Sequence, residues 1–284
     1  MAGVMKYRYI TGFIKQGVFV EVRRGMEDAA RLLGVEAELT GTEQADYTRL
    51  NQMIYDSIEQ KYDGLAINLS DPHRFNEAIG ACIRAEIPVV SFNIDSKSSK
   101  RMSKVCQDFY EAGKSLGRKL IEKIPPFSSV LFTQHTEGQS ALDERLAGIQ
   151  MILDEKNIKS YTVIAGQQPE KAKEIILEVL REYRDISWII GTGQSDTHGA
   201  GLAARALPER GLKVAGFDIC EEIADMIREG IILYTVSQEP YIQGFYPLMM
   251  LHQYNTMGIH PFDIDTGCRI IDKSQLQEEP PGGL

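Results

Sequence analysis

A chain of 284 residues, 43 % hydrophobic and 25 % charged, is long enough for two ordinary domains and too evenly balanced for intrinsic disorder, a collagen-like fibre or a disulfide miniprotein. Its longest apolar runs, such as Leu248–Leu251, fall far short of the ~18 residues a spanning helix needs. The formal net charge of −9, from 31 basic against 40 acidic residues, disfavours nucleic acid, which is gripped by clustered cations.

The segment Met1–Lys6 has no apolar signal core and runs directly into strand-like sequence, so the chain is either cytoplasmic or has lost a targeting segment. Tyr7–Phe13 reads as the first strand. Phe19, Val22, Met26, Ala29, Ala30 and Leu33 then recur at helical spacing, with Gly34 as the stop. The same cycle predicts strands at Glu36–Leu39, Gly64–Asn68, Val89–Phe92, Ser129–Thr133, Ser160–Ile164, Trp188–Gly191, Lys213–Phe217 and Leu233–Ser237. Helices fall between them, at Tyr47–Gln60, Arg74–Ala85, Asp108–Ile124, Leu142–Glu155, Glu170–Tyr183, Thr197–Leu207, Glu221–Glu229 and Ile242–Thr256. Strands alternating with helices of this length imply right-handed βαβ crossovers and a parallel sheet covered on both faces, the α/β class. The polar stretch Ser96–Lys104, followed by the short apolar Val105–Cys106, interrupts the rhythm and favours two lobes over one sheet; the tail Glu278–Leu284 reads as frayed.

Ligands of open parallel sheets bind beyond the carboxyl ends of the strands, so the residues just after each strand carry the functional argument. Gln16 and Phe19 follow the first strand, Asn93 the strand at Val89–Phe92, Asp196 the strand at Trp188–Gly191, Asp218 the strand at Lys213–Phe217, and Gln238 the strand at Leu233–Ser237; Arg145 belongs to the helix after Ser129–Thr133. Carboxylates accept hydrogen bonds, arginine donates through a planar fork, amides do both, and an aromatic face covers the C–H patch of a sugar ring. The mixture suits a neutral polyhydroxylated ligand. Read one at a time, each of these residues is equally well a helix cap or a solvated loop position.

Other chemistries find less support. The four cysteines show no C-x-x-C spacing, which argues against structural zinc, while a Cys106–Cys268 disulfide stays open. Gly191-Thr192-Gly193-Gln194-Ser195-Asp196 places an acid where a dinucleotide loop needs its third glycine. Asp263–Gly267 is too short for an EF-hand, no histidine has an i, i+4 partner, and no Gly-x-Ser-x-Gly elbow occurs, so neither a metal nor a cofactor is expected. Asp196 and Asp218 as the acid and base of a glycoside hydrolase form a lower-ranked alternative.

Gln16-Gly17-Val18-Phe19-Val20 with Gly25, Ile87-Pro88-Val89-Val90-Ser91-Phe92-Asn93, Val214-Ala215-Gly216-Phe217-Asp218 and Val236-Ser237-Gln238 occur in an order that resembles the ribose-type periplasmic sugar-binding proteins. The resemblance spans nearly the whole chain. It implies a type I periplasmic binding protein-like fold: two Rossmann-like parallel-sheet lobes joined by three crossover segments, with a sugar clamped between them. The implied lobes are 1–107 with 239–266 and 108–238 with 267–284. It also implies ligand roles for Gln16, Phe19, Asn93, Arg145, Asp196, Asp218 and Gln238, with Arg145 forking to sugar hydroxyls. Asn93-Ile94 stands where ribose binders often carry Asp then Arg, and Val18 replaces a second aromatic, which points away from ribose itself.

The function implied is that of a monomeric extracytoplasmic solute-binding protein, in mature form without its export signal. It would capture a monosaccharide or polyol and deliver it to an ABC importer permease, with a chemoreceptor as a second partner. The rival reading is the effector domain of a LacI-type regulator, which is similar in fold; the basic helix-turn-helix of a whole repressor does not precede the first strand.

Overall fold

The computed structural model describes residues 3–71 and 73–278. The chain divides into two compact units, the first made of Met1–Gln107 and Glu239–Gly267, the second of Asp108–Gln238 and Cys268–Leu284. The first unit opens with β1 (Lys6–Thr11), α1 (Val18–Leu33), β2 (Glu36–Gly41), α2 (Tyr47–Glu59), β3 (Gly64–Ile67), α3 (Asn76–Arg84), β4 (Val89–Asn93) and β5 (Ser103–Cys106). The second unit runs through α4 (Phe109–Ile121), β6 (Ser129–Gln134), α5 (Ser140–Leu153), β7 (Lys159–Ile164), α6 (Pro169–Glu182), β8 (Ile186–Gly191), α7 (Gln194–Ala206), β9 (Lys213–Phe217), α8 (Glu221–Glu229) and β10 (Ile232–Ser237). The chain then returns to the first unit for α9 (Pro240–Met257) and β11 (Ile264–Asp265), and ends in the second with β12 (Arg269–Ile271) and α10 (Lys273–Glu278).

The first sheet has the order β11-β5-β4-β3-β1-β2 and is parallel throughout. The second has the order β12-β10-β9-β8-β6-β7, parallel except for β12, which runs antiparallel to β10. In each sheet the strand order reverses beside the first strand, between β1 and β3 and between β6 and β8. This switch point leaves a crevice at the carboxyl ends, where loops leave in opposite directions.

Central strands are buried on both faces and read as continuous apolar runs, as in Gly64–Ile67, whereas the edge strands β2 and β7 alternate towards solvent. Each sheet therefore carries two cores. On the first, Phe19, Val22, Met26 and Ala29 of α1 and Leu248 and Leu251 of α9 cover one face, while Leu50, Ile54, Ala78 and Ile79 of α2 and α3 cover the other. On the second, α4 and α5 cover Val130, Phe132 and Ile190, and α6 to α8 cover Leu131, Ile189 and Val214. Helices α4 and α5 approach so closely that a Cβ on Gly113 would stand 3.1 Å from Arg145 Cα, and one on Gly148 would stand 2.9 Å from Lys114 N.

Several expected boundaries move for local reasons. β1 stops at Thr11 because Ile14 N–H donates to Thr42 O, turning the loop away from the strand. α6 begins at Pro169, whose missing N–H costs nothing in a first turn. The polar stretch at 96–104 closes into β5, where Ser103–Cys106 pairs with β4. β11, β12 and α10 are additional to the predicted elements. Cys106 and Cys268, left open as a disulfide, are free thiols. The frayed tail expected from Glu278 lies, beyond that residue, outside the described residues.

Candidate functional site

In the second unit the carboxyl strand ends gather a charged cluster. Asp218 follows β9 at φ 64°, and its N–H donates to Val236 O at 2.9 Å. Asp and Asn tolerate this left-handed corner better than most residues because their short polar side chains bond locally. Gln238, one residue past β10, donates through Nε2 to Asp218 Oδ1 at 2.6 Å. Arg145 projects from α5 and is 2 % exposed. Its Nη1 donates to Thr192 O at 2.9 Å and lies 3.4 Å from Asp218 Oδ2. The guanidinium also sits 4.4 Å from the Phe217 ring centroid and 5.1 Å from that of Phe109. A buried arginine held this way has its charge balanced by Asp218 and its orientation set by a carbonyl and two rings.

His135, at the end of β6, is half-buried with Nδ1 2.9 Å from Thr136 Oγ1. Burial lowers its pKa to about 4; Asp218 opposes the shift and Arg145 adds to it, so the imidazole is neutral at neutral pH. The ring fits because position 193 is glycine: a Cβ there would lie 2.7 Å from His135 Cδ2.

Asp196 is near this cluster in sequence order but is spent on the fold. It is 0 % exposed, and its carboxylate accepts from Thr192 N at 2.7 Å, Gly193 N at 3.1 Å and Thr133 Oγ1 at 3.1 Å. It caps the start of α7, satisfying N–H groups that have no intrahelical partner. Burial raises its pKa to about 7 against the lowering effect of those donors. Asp196, expected as a ligand group, is placed on the start of its own helix.

In the first unit the strand ends form an amide chain without net charge. Asn93 closes β4 at φ 63° and is 6 % exposed. Asn68, directly after β3, donates through Nδ2 to Asn93 Oδ1 at 2.8 Å; Asn93 Nδ2 donates to Gln243 Oε1 at 3.0 Å. Gln243 of α9 continues through Nε2 to Thr266 Oγ1 at 3.3 Å. Among the described residues, Asn68 Oδ1 and Ser70 Oγ are buried without a hydrogen-bond partner, so both offer this edge an unused acceptor. Asp95 is committed elsewhere: the Arg101 fork binds both its oxygens at 2.7 Å and Ser91 donates at 2.6 Å. Burial alone would raise the Asp95 carboxyl, but these donors outweigh it and hold it below the usual range.

The two residues expected after β1 are placed differently from one another. Gln16 is exposed, in the loop before α1. Phe19 is 2 % exposed inside the core of its unit, its ring edge-on to Phe92 at 6.2 Å. It belongs to the apolar stripe Phe19–Val22–Met26–Ala29 by which α1 packs on its sheet.

The structure thus brings Arg145, Asp218 and Gln238 together and places Asn93 in an amide chain of its own unit. Sequence reasoning missed Asn68, His135, Thr192, Phe109 and Gln243. Asn68 carried a usable signal, since it ends a predicted strand, whereas Gln243 lies inside a helix and carried none.

The xylose/arabinose-binding protein XylF of Sulfolobus acidocaldarius is 26 % identical over 91 % of this chain and 69 % of its own. The ribose import binding protein RbsB of Escherichia coli is 22 % identical over 78 % of this chain and 75 % of its own. An ABC transporter solute-binding protein from Burkholderia graminis, solved in complex with D-arabinose, superposes with a TM-score of 0.90 at 20 % identity, covering 98 % of this chain and 99 % of that one. A family described as periplasmic binding protein domain matches residues 4–257, and the chain belongs to that family.

Proposed function

We propose that this protein is an extracytoplasmic solute-binding protein that captures a neutral monosaccharide or related polyol and hands it to an ABC importer. The carrying observation is the Arg145–Asp218–Gln238 cluster, with Arg145 on Asp218 at 3.4 Å and Gln238 on Asp218 at 2.6 Å. Its opposite charges cancel, so it offers directed donors and acceptors without attracting an ion. Within the first unit, the amide chain of Asn68, Asn93 and Gln243 carries the same kind of uncharged hydrogen-bonding chemistry. Hydroxyl groups exchange bonds to water for bonds to these side chains, and each partner left unmade costs ~1–3 kcal/mol, which distinguishes epimers.

Arg145, Asp218, Gln238 and Asn93 are the proposed contacts, joined by Asn68. Gln16 is retained as a loop contact. Catalysis has no place in this reading, because glycoside hydrolysis needs two available carboxylates and Asp196 is enclosed by its own helix cap. The chain acts as a monomer, with the importer permease as receiver and a chemoreceptor as a second partner.

A thermal-shift screen over D-xylose, L-arabinose, D-ribose, D-glucose, D-galactose, polyols and nucleosides tests the proposal, since a ligand that binds only the native state raises its melting temperature. Stabilisation by a sugar without its chemical conversion supports transport. Turnover of a glycoside, or no stabilisation by any sugar or polyol, overturns it.

A further inference from the structure

We propose that Phe109 is a positioning residue for Arg145, holding the guanidinium in a single orientation at the carboxyl edge of the second sheet; the part of this that concerns sugar affinity rests on the function proposed above. An arginine side chain has enough rotamers that an unsupported one would lose much of its grip in becoming ordered. Arg145 is supported on several sides. Its guanidinium carbon is 5.1 Å from the Phe109 centroid and 4.4 Å from the Phe217 centroid, both within cation–π range, while Thr192 O fixes Nη1 at 2.9 Å.

The two rings differ in what else they do. Phe217 is 0 % exposed and belongs to the core beneath α4 and α5, so its place is set by the sheet. Phe109 is 7 % exposed but is not a member of that core cluster, and the Arg145 guanidinium lies over its ring. Its position is nevertheless rigid. Asp108 caps α4 by accepting from Glu111 N at 3.0 Å, which makes Phe109 the first helical residue. One turn later Gly113 meets the Arg145 backbone, where a Cβ would stand 3.1 Å from Arg145 Cα. The helix carrying the ring is thereby locked in register against the helix carrying the arginine.

The test compares Phe109→Leu, which keeps apolar bulk and removes the aromatic face, with Phe109→Tyr, which keeps the face. In the full chain labelled with 15N-arginine, the Arg145 Nε–H signal, identified by its loss in Arg145→Lys, should be displaced by ring currents and slow to exchange with solvent. Phe109→Leu should return it towards the ordinary arginine position and speed exchange at least ten-fold, while Phe109→Tyr leaves it in place. Calorimetry with D-xylose and L-arabinose should show about five-fold weaker binding for Phe109→Leu and under two-fold change for Phe109→Tyr. A Leu variant identical to wild type in signal and affinity, or a Tyr variant that falls as far as Leu, overturns the assignment. If wild type binds none of the panel sugars, the transport reading fails, and the arginine signal alone still decides whether Phe109 positions Arg145.

Discussion

Asn93 and Asp218 occupy the same place in their respective sheets. Each ends or follows the third strand in the order, β4 or β9, and each turns through a left-handed corner, at φ 63° and φ 64°. Each is also tied to an amide side chain: Asn93 donates to Gln243 Oε1 at 3.0 Å, and Asp218 accepts from Gln238 Nε2 at 2.6 Å. The one atom that differs, nitrogen in Asn93 and oxygen in Asp218, reverses the direction of the hydrogen bond and supplies the charge that balances Arg145.

That difference makes Asp218→Asn an informative change, because asparagine tolerates the corner while altering the chemistry. Facing Arg145, the new NH2 would set donor against donor; facing Gln238, it would require that amide to turn its oxygen inward, as Gln243 does for Asn93, and in either case Arg145 loses its balancing charge. Removing one partner of a buried pair costs on the order of 3–5 kcal/mol of local interaction. Calorimetry should show sugar affinity reduced ten-fold or more. Affinity within two-fold of wild type would remove Asp218 from the site.

Asp196 gives a signature in stability against pH. Its native pKa is raised from 3.8 to about 7, so between about pH 4 and 7 the native state holds a proton that the unfolded chain has released. Stability from this group is therefore present below pH 4 and lost as pH rises to 7, by roughly 4 kcal/mol if the whole shift is expressed. Urea denaturation of wild type and Asp196→Asn should show the advantage of wild type shrinking over that window. A difference that does not vary with pH would contradict the buried, proton-holding carboxyl.

His135 has the opposite sign over nearly the same window. Its native pKa is lowered from 6.5 to about 4 by burial, so between those values the unfolded chain binds a proton that the native state refuses. Stability rises with pH from 4 to 6.5, by roughly 3 kcal/mol at most. Wild type alone would show the two effects largely cancelling, which is why single variants are needed. Relative to His135→Gln, wild type should lose stability as pH falls from 6.5 to 4; a gain would mean that Asp218 outweighs burial at this ring.

The alternating strands and helices were legible because parallel sheets enforce long apolar runs separated by amphipathic helices. The edge strands were harder to see. β11 has two residues and β12 has three, too few for any periodicity, and β5 starts inside a polar stretch. The strand-end rule picked out Asp218 and Gln238, which directly follow β9 and β10, together with Arg145 of the helix after β6, and the structure brings these three within reach of one another. The rule did not show that Phe19 and Asp196 are buried, because position along the chain does not reveal which way a side chain points. Phe19 turns onto the sheet with the rest of its helical stripe, and Asp196 turns back onto the N–H groups of its own helix. Gln243 belongs to the amide chain through tertiary contact alone.

The close crossing of α4 and α5 makes Gly148 a site where stability and binding should fail together. An alanine there would place its Cβ against the Tyr110 carbonyl oxygen and 2.9 Å from Lys114 N, both backbone atoms that no rotamer change can move. The helices must separate, and overpacking of this kind costs ~1–3 kcal/mol. Arg145 lies three residues before Gly148, and its guanidinium must keep Thr192 O at 2.9 Å while its backbone shifts away from α4. Gly148→Ala should therefore lower the urea midpoint and also weaken sugar binding several-fold at temperatures where the variant is fully folded. A folded variant with wild-type affinity would show that Arg145 keeps its geometry without the glycine-mediated contact.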